Sequence, residues 1–150
     1  MNSVKITEKD GEYILYANGE KASHAQINIF PEIKNFDWIL LDDVDTMPKY
    51  QRQGYAKMLL KRVLKDCEKK HPTYGQYLIV MSVNAPAIGL YKGLGFEVIR
   101  TLTQKKTKRK YLVMARGKAD KDQLMNTGFA GFESNLWVPK WIYKIPLRYP

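Results

Sequence analysis

The chain contains one cysteine and no long apolar run, and both absences limit what it can be. A single cysteine cannot build an internal disulfide framework, so we expect a reducing compartment. Nowhere do about 18 apolar residues follow one another, which is the length that a membrane-spanning helix needs. Residues 1–5 also lack the apolar core of a signal peptide. We therefore expect a cytoplasmic protein without membrane contact.

Acidic side chains are scarce in the middle of the chain. Residues 1–46 carry 4 basic and 9 acidic side chains, whereas residues 47–119 carry 17 basic and 3 acidic ones. A basic excess of this kind attracts phosphate-bearing ligands. The chain has only two histidines, His24 and His71, and neither they nor Cys67 show the spacing of a metal site. We expect no metal, two histidines without a catalytic role, and a cysteine in the core.

The size of the chain favours one domain over residues 1–150, with a core of about 1–116 and an extension of about 117–150. The extension is too aromatic to be left in water. We expect it to cover the core or to form a homodimer interface, and an aromatic wall for a substrate is the alternative. Its aromatic residues are Phe129, Phe132, Trp137, Trp141, Tyr143 and Tyr149.

The first part of the chain has the pattern of an antiparallel meander. Strands are predicted over 4–7, 13–17 and 21–30, because Asp10-Gly11 and Asn18-Gly19 between them are hairpin turn signals. A fourth strand runs from Trp38 to Asp45, before Pro48.

After residue 54, helices and strands alternate. An amphipathic helix is predicted over 54–70, a strand over 77–83, a short helix after Asn84, strands over 96–102 and 111–115, and a helix over 120–125. The predicted fold class is α/β, with a mixed, mostly antiparallel central sheet and flanking helices. A strand-to-helix crossover favours parallel strands on either side of it.

The link between the fourth strand and the first helix has the features of a phosphate-binding loop. Small residues let backbone N–H groups approach an anion, and the helix adds the positive end of its dipole. A plain turn is the alternative for so short a pattern. The loop consists of Gln51, Arg52, Gln53, Gly54, Tyr55 and Ala56.

A second segment, from Asn84 to Phe96, contains an N-cap asparagine, a short helix and a glycine stop. Together the two segments resemble the GNAT superfamily of acetyl-CoA-dependent N-acetyltransferases, over about residues 38–115. The loop matches the family pattern Q/R-x-x-G-x-G/A at Gln51, Gly54 and Ala56. The second segment matches N-x-x-A-x-x-x-Y-x-x-x-G-F at Asn84, Ala87, Tyr91, Gly95 and Phe96.

The resemblance implies a GNAT-like acyl-CoA N-acyltransferase fold with acetyl-CoA as cosubstrate. The N-terminal region is too short for the two helices that many members place after the first strand. Tyr91 would act as the acid that protonates the coenzyme sulfur; the alternative is a helix tyrosine that packs on the sheet. The coenzyme-binding residues would be Val44, Thr46, Gln51, Arg52, Gln53, Gly54, Tyr55, Ala56, Asn84 and Lys92.

A general base is expected in the fourth strand. Alternation places Asp42, Val44 and Thr46 on one strand face, and Asp42 lies where family members often carry a Glu or His. Asp42 is therefore the predicted base, acting directly or through water. Its alternative is a solvated acid at a strand end.

The predicted activity is transfer of an acetyl group to an amine by direct attack in a ternary complex. The alternatives are a basic nucleic-acid-binding or coenzyme-A-sensing module without catalysis, and an acetyltransferase that acts on an aminoacyl-RNA. Both alternatives depend on a dense basic run that would contact RNA or a ribonucleoprotein, unless this run is a solvated turn. This run contains Lys105, Lys106, Lys108, Arg109 and Lys110.

Overall fold

The computed structural model describes residues 3–129 and 131–133, which form eight strands and three α-helices. The strands are β1 (Val4–Lys9), β2 (Glu12–Ala17), β3 (Glu20–Asn28), β4 (Trp38–Thr46), β5 (Gly75–Met81), β6 (Glu97–Gln104), β7 (Lys110–Arg116) and β8 (Phe132–Glu133). The helices are α1 (Tyr55–Lys70), α2 (Ala85–Gly93) and α3 (Lys121–Met125). The strands belong to one mostly antiparallel sheet, so the predicted fold class is confirmed.

The described residues fall into two compact units. The first contains the residues up to 28 and those from 40 to 72, and the second contains residues 29–39 and those from 73 onwards. The strand order within the first is β1-β2-β3-β4, and within the second it is β5-β7-β6-β8.

The first unit opens with the predicted meander. Asp10 and Gly11 have φ of 51° and 83°, and Asn18 and Gly19 have φ of 53° and 81°. Two successive residues with positive φ form the tight turn that matches the twist of a hairpin. Both predicted hairpins are therefore confirmed. Because two residues join β1 to β2, the N-terminal region has no room for a helical pair, as expected.

Helix α1 packs its apolar side on β2 and β3. A polar contact joins it to the sheet, since the Tyr13 hydroxyl donates to Asp66 Oδ2 at 2.9 Å. Burial and this hydrogen bond to a carboxylate both raise the pKa of Tyr13. The predicted amphipathic helix with a core cysteine is confirmed, and its buried residues are Tyr55, Leu59, Leu60, Val63, Leu64 and Cys67.

In the second unit, β7 lies between the two strands that α2 connects. Both β5 and β6 pair antiparallel with β7, so they run parallel to each other without being neighbours. For the crossover through α2, the expectation therefore holds for strand direction but not for direct pairing.

The predicted strand over 77–83 is displaced by two residues at each end relative to β5. The amide of Asn84 donates to the carbonyl of Met81 at 3.0 Å, which closes a turn and leaves Val83 80% exposed. A β-branched residue such as Val83 favours a strand locally, but the turn that leads into α2 prevails here.

The start of the C-terminal extension packs in the second unit. The Trp38 indole donates to the carbonyl of Asp120 at 2.9 Å, and Arg100 donates to the carbonyls of Leu124 and Thr127 at 3.1 Å and 2.6 Å. Asp120 caps α3 through its side chain, so the short helix predicted there is confirmed.

Two of the extension's aromatic residues are buried. Phe129 and Phe132 are each 1% exposed, with their rings 6.3 Å from Tyr77 and 5.3 Å from Tyr111. These contacts agree with the expectation that the extension covers the core. The remaining aromatic residues of that expectation, Trp137, Trp141, Tyr143 and Tyr149, lie outside the described residues.

Within the described residues, no helix has the length and apolar character needed to cross a bilayer.

We predict that Gly75→Ala lowers the free energy of unfolding by about 1–3 kcal/mol through overpacking. An added Cβ would lie 2.6 Å from Cε3 and 2.8 Å from Cη2 of Trp38, which is fully buried. Gly89→Ala is the matched control, because its Cβ would meet nothing within 4 Å. Urea unfolding should show the loss only for Gly75→Ala; equal stability of the two variants would contradict the packing argument.

Candidate active site

The segment between β4 and α1 turns sharply at two residues. After a 3-10 turn at Pro48–Tyr50, Arg52 and Gly54 adopt φ of 63° and 81°. Residues other than glycine rarely adopt such values, so the path of this loop is unusual. Residues 51–54 are all exposed, and a Cβ on Gly54 would meet nothing within 4 Å. The loop is therefore accessible to a ligand.

The first turn of α1 has no side-chain cap. Gly54 occupies the N-cap position and offers no side-chain acceptor, and the first turn contains no acidic residue. The amides of this turn need acceptors from water or from a ligand. Because the helix dipole also makes this end positive, the start of α1 is suited to a phosphate group.

Helix α2 begins differently. Its N-cap, Asn84, accepts a hydrogen bond from the amide of Ala87 at 3.2 Å, which confirms the predicted cap. Pro86 in the same turn has no N–H to offer. Of the two helix starts, α1 is thus the one without a side-chain acceptor of its own. Asn84 and Lys92, two of the predicted coenzyme-binding residues, are exposed.

Two glutamines shape the loop before α1. Gln51 Nε2 donates to the carbonyl of Thr46 at 3.1 Å, and Gln53 Nε2 donates to the carbonyl of Lys49 at 3.2 Å. Both side chains bond to backbone that precedes the loop, so they hold it back against the end of β4. The exposed side chain of Arg52 contributes positive charge beside the first turn of α1.

Strand β4 contains a bulge. Gln26 of β3 pairs with Asp42, and His24 pairs with Asp45, so β4 uses one residue more than β3 over this stretch. Asp43 has φ of 53°, as an extra residue in a bulge can have.

The bulge changes which side chains share a face of the sheet. Thr46 pairs with Ser23, and the two hydroxyl oxygens are 2.9 Å apart, whereas Asp42 pairs with Gln26. Ser23 and Gln26 are three residues apart in one strand, so they point to opposite faces. The expectation that Asp42 and Thr46 share a face is therefore wrong, because the extra residue in β4 reverses the alternation. Asp42 instead shares the face of Asp45.

The face of Asp42 is the one that α1 leaves open. Ser23 and Tyr13 lie on the other face, where Tyr13 contacts α1. His24 lies on the face of Asp42; its Nδ1 is 2.9 Å from the carbonyl oxygen of Asp43, and its Nε2 is 3.8 Å from Glu12. A hydrogen bond to the bulge agrees with the structural interpretation of this histidine.

Tyr91, the predicted acid, lies in the second unit at the end of α2. It is 7% exposed, and its ring centroid is 5.9 Å from that of Phe96. Burial raises the pKa of Tyr91 to about 12, because a phenolate would lose its hydration. The hydroxyl therefore keeps its proton at neutral pH, as a general acid must before the reaction, and burial also makes it a weaker acid.

The basic run predicted to bind a polyanion forms the turn between β6 and β7. Lys108 pairs with Glu133 of β8, and Lys110 Nζ donates to Thr103 at 2.6 Å. Lys105, Lys106 and Arg109 are exposed and form no ion pair with a described residue.

Across residues 3–129 and 131–133, no three His, Cys, Asp or Glu side chains are grouped as a metal site would require.

The fold and the loop define an α/β protein with an exposed loop that leads into a helix start without a side-chain cap. Residues 4–96 match the model of the acetyltransferase (GNAT) family. The chain belongs to this family, as its motifs indicated. Comparison with curated proteins found no significant match.

Solved structures of acetyltransferases share this fold. The ribosomal-protein-S18-alanine N-acetyltransferase of Escherichia coli is 23% identical, with a TM-score of 0.63 over 77% of this chain and 92% of that one. Arabidopsis thaliana Naa50, solved with the bisubstrate analogue CoA-Ac-MVNAL, is 21% identical, with a TM-score of 0.64 over 73% of this chain and 74% of that one. The PaiA N-acetyltransferase of Thermoplasma acidophilum, solved with coenzyme A, is 20% identical, with a TM-score of 0.56 over 71% and 60%.

Two residues beside the loop, Glu20 and Tyr50, have no local sequence signal that marks them. Glu20 accepts hydrogen bonds from the hydroxyl of Tyr50 and from Lys49, the latter at 2.9 Å. Glu20 is 30 residues from Tyr50 in sequence, and no local pattern joins them. The pairing of β3 with β4, which places Ser23 opposite Thr46, brings this glutamate to the turn before the loop.

We predict that Tyr91 stabilises the fold below pH 10 and loses this contribution between pH 10 and 12. A pKa raised from 10 to about 12 means that the folded state favours the protonated hydroxyl. The difference in unfolding free energy between wild type and Tyr91→Phe should therefore shift by about 1.4 kcal/mol, against wild type, from pH 9 to pH 11. Urea titrations at both pH values measure it, with Tyr16→Phe as control. A constant difference would contradict the buried, protonated tyrosine.

Proposed function

We propose that the chain is an acetyl-CoA-dependent N-acetyltransferase that transfers an acetyl group to an amine. The observation that carries the proposal is the uncapped start of α1 after a loop with two left-handed residues, within the segment that matches the family model. Residues 1–150 would form one catalytic domain, and the family match supports this for residues 4–96.

The coenzyme would bind by its phosphates at the loop. The backbone amides of residues 53–56 would hold the pyrophosphate, with Arg52 and Lys92 adding positive charge. The donor set fits this group, because the α1 start carries N–H donors and no competing acidic residue. The backbone of Val44 to Thr46 would pair with the pantetheine arm. Asn84 would contribute through its amide nitrogen, since its oxygen already caps α2.

When bound, acetyl-CoA supplies an acetyl group activated as a thioester. Tyr91 holds the proton that the departing thiolate takes up. Asp42, directly or through a water molecule, accepts the proton that the amine gives up as it forms the new C–N bond. Because Asp42 and Thr46 lie on opposite faces of β4, the amine would approach from the face of Asp42. The remaining contribution of the chain is to position the two reactants in a ternary complex.

We predict that Gly54→Glu weakens coenzyme A binding at least tenfold, because a carboxylate would occupy the phosphate position and repel the pyrophosphate. Gly131→Glu is the matched control. Both glycines have positive φ, 81° and 86°, and a Cβ on either would meet nothing within 4 Å. Backbone strain and added charge are thus alike in the two variants. Calorimetry with coenzyme A should separate them; equal affinities would remove the loop from the coenzyme site.

The exposed basic turn favours a second candidate, an acetyltransferase that engages a polyanionic acceptor such as an aminoacyl-RNA. Coenzyme phosphates account for only a few of the 17 basic residues between 47 and 119. No described acidic residue forms an ion pair with Lys105, Lys106 or Arg109. If the acetyl acceptor were a small-molecule amine, this basic cluster would have no role in binding it.

We predict that replacing Lys105, Lys106 and Arg109 by Gln leaves coenzyme affinity within about twofold but lowers RNA affinity and its dependence on salt. The control replaces Lys61, Lys65 and Lys69 on α1, which removes the same charge. Affinity for bulk RNA is measured against salt for the three proteins. Equal slopes for the two variants would show that only net charge matters and would end the polyanion proposal.

A further inference from the structure

A carboxylate outside the loop anchors the residue that leads into it. Tyr50 ends the 3-10 turn directly before Gln51, and its hydroxyl donates to Glu20 Oε2 at the start of β3. Lys49 Nζ donates to the same oxygen at 2.9 Å, and its ammonium lies 5.3 Å from the centroid of the Tyr50 ring. One carboxylate oxygen thus receives two donors from consecutive residues of the turn.

The two ends of the loop meet at a pair of aromatic rings. Tyr50 precedes the loop and Tyr55 begins α1, and their ring centroids are 5.9 Å apart in an edge-to-face arrangement. Both rings are buried, at 8% and 6% exposure, although residues 51–54 between them are exposed. Residues 51–54 therefore form an exposed loop that is anchored at both ends by a buried tyrosine. Glu20 holds one of these anchors, Tyr50.

The charges in this cluster are balanced within it. The hydrogen bond from Tyr50, followed by that from Lys49, lowers the pKa of Glu20, and the contact with Glu20 raises the pKa of Lys49. At neutral pH the pair is ionised. Lys49 therefore neutralises Glu20.

We propose that Glu20 is a positioning residue for the coenzyme: through Tyr50 it fixes the path of residues 51–54 and so aims the first amides of α1 at the pyrophosphate. This inference rests on the proposed function. Glu20 does not touch the coenzyme in this account. It acts through the hydroxyl of Tyr50.

Electrostatics and positioning predict opposite effects for the loss of Glu20. A glutamate near a phosphate site repels the phosphates, so its removal would tighten coenzyme binding if charge alone mattered. If Glu20 positions the loop, its removal weakens binding, because the loop must then be ordered by the ligand.

The experiment measures the coenzyme A dissociation constant by calorimetry for three variants. Glu20→Ala removes the charge and the acceptor, Tyr50→Phe removes only the donor, and Glu20→Gln removes the charge but keeps an acceptor oxygen. We expect Glu20→Ala and Tyr50→Phe each to weaken binding about fivefold, the effect of losing one hydrogen bond, and Glu20→Gln to bind within about twofold of wild type. Glu133→Ala, which removes another lysine-paired glutamate, is the control and should bind as wild type.

Urea unfolding of the same proteins separates positioning from general stability. Rescue by Glu20→Gln at equal unfolding free energy supports positioning. Unchanged or tighter binding by Glu20→Ala, or wild-type binding by Tyr50→Phe, would overturn the inference. If Gly54→Glu and Gly131→Glu bind coenzyme A equally, the proposed function fails instead, so the two failures are distinguishable.

Discussion

The amides in the first turn of α1 lack a side-chain acceptor, and the proposed chemistry depends on this one feature. A helix start that is left open in this way must find its acceptors in water or in a ligand. Here it follows a loop held by Gln51 and Gln53 and begins at a glycine with φ of 81°. The contrast with α2, whose first turn is capped by Asn84, makes α1 the helix start to which the proposed function assigns an anion.

The bulge in β4 is the second constraint. One extra residue, with Asp43 in a left-handed conformation, places Asp42 and Thr46 on opposite faces of the sheet. A strand with strict alternation would present the proposed base and the proposed coenzyme-pairing residue on the same side. Because of the bulge, the proposed base instead lies on the face opposite the Thr46 side chain.

Local signals in the sequence predicted much of the fold. Asp10-Gly11 and Asn18-Gly19 form the expected turns, because the residue types that adopt positive φ are recognisable in a sequence. Helix α1 was predictable because its apolar spacing persists over four turns after Gly54. The features that were missed depend on contacts distant in sequence. The two-residue strand β8 forms only because β6 is available to pair with it, and the bond between Glu20 and Tyr50 depends on strand pairing. In the sequence, residues 42–46 still look like a strand whose side chains alternate between faces. The bulge at Asp43 therefore cannot be predicted from the pattern.

The most direct test of the coenzyme site is a titration of the ¹⁵N-labelled protein with coenzyme A, followed by the backbone amide signals in NMR. We expect the largest shifts on Gln53, Gly54, Tyr55 and Ala56, and we expect inorganic pyrophosphate to shift the same amides in the same direction. Saturable binding of coenzyme A that leaves these four signals in place would contradict the assignment of the α1 start as the pyrophosphate site.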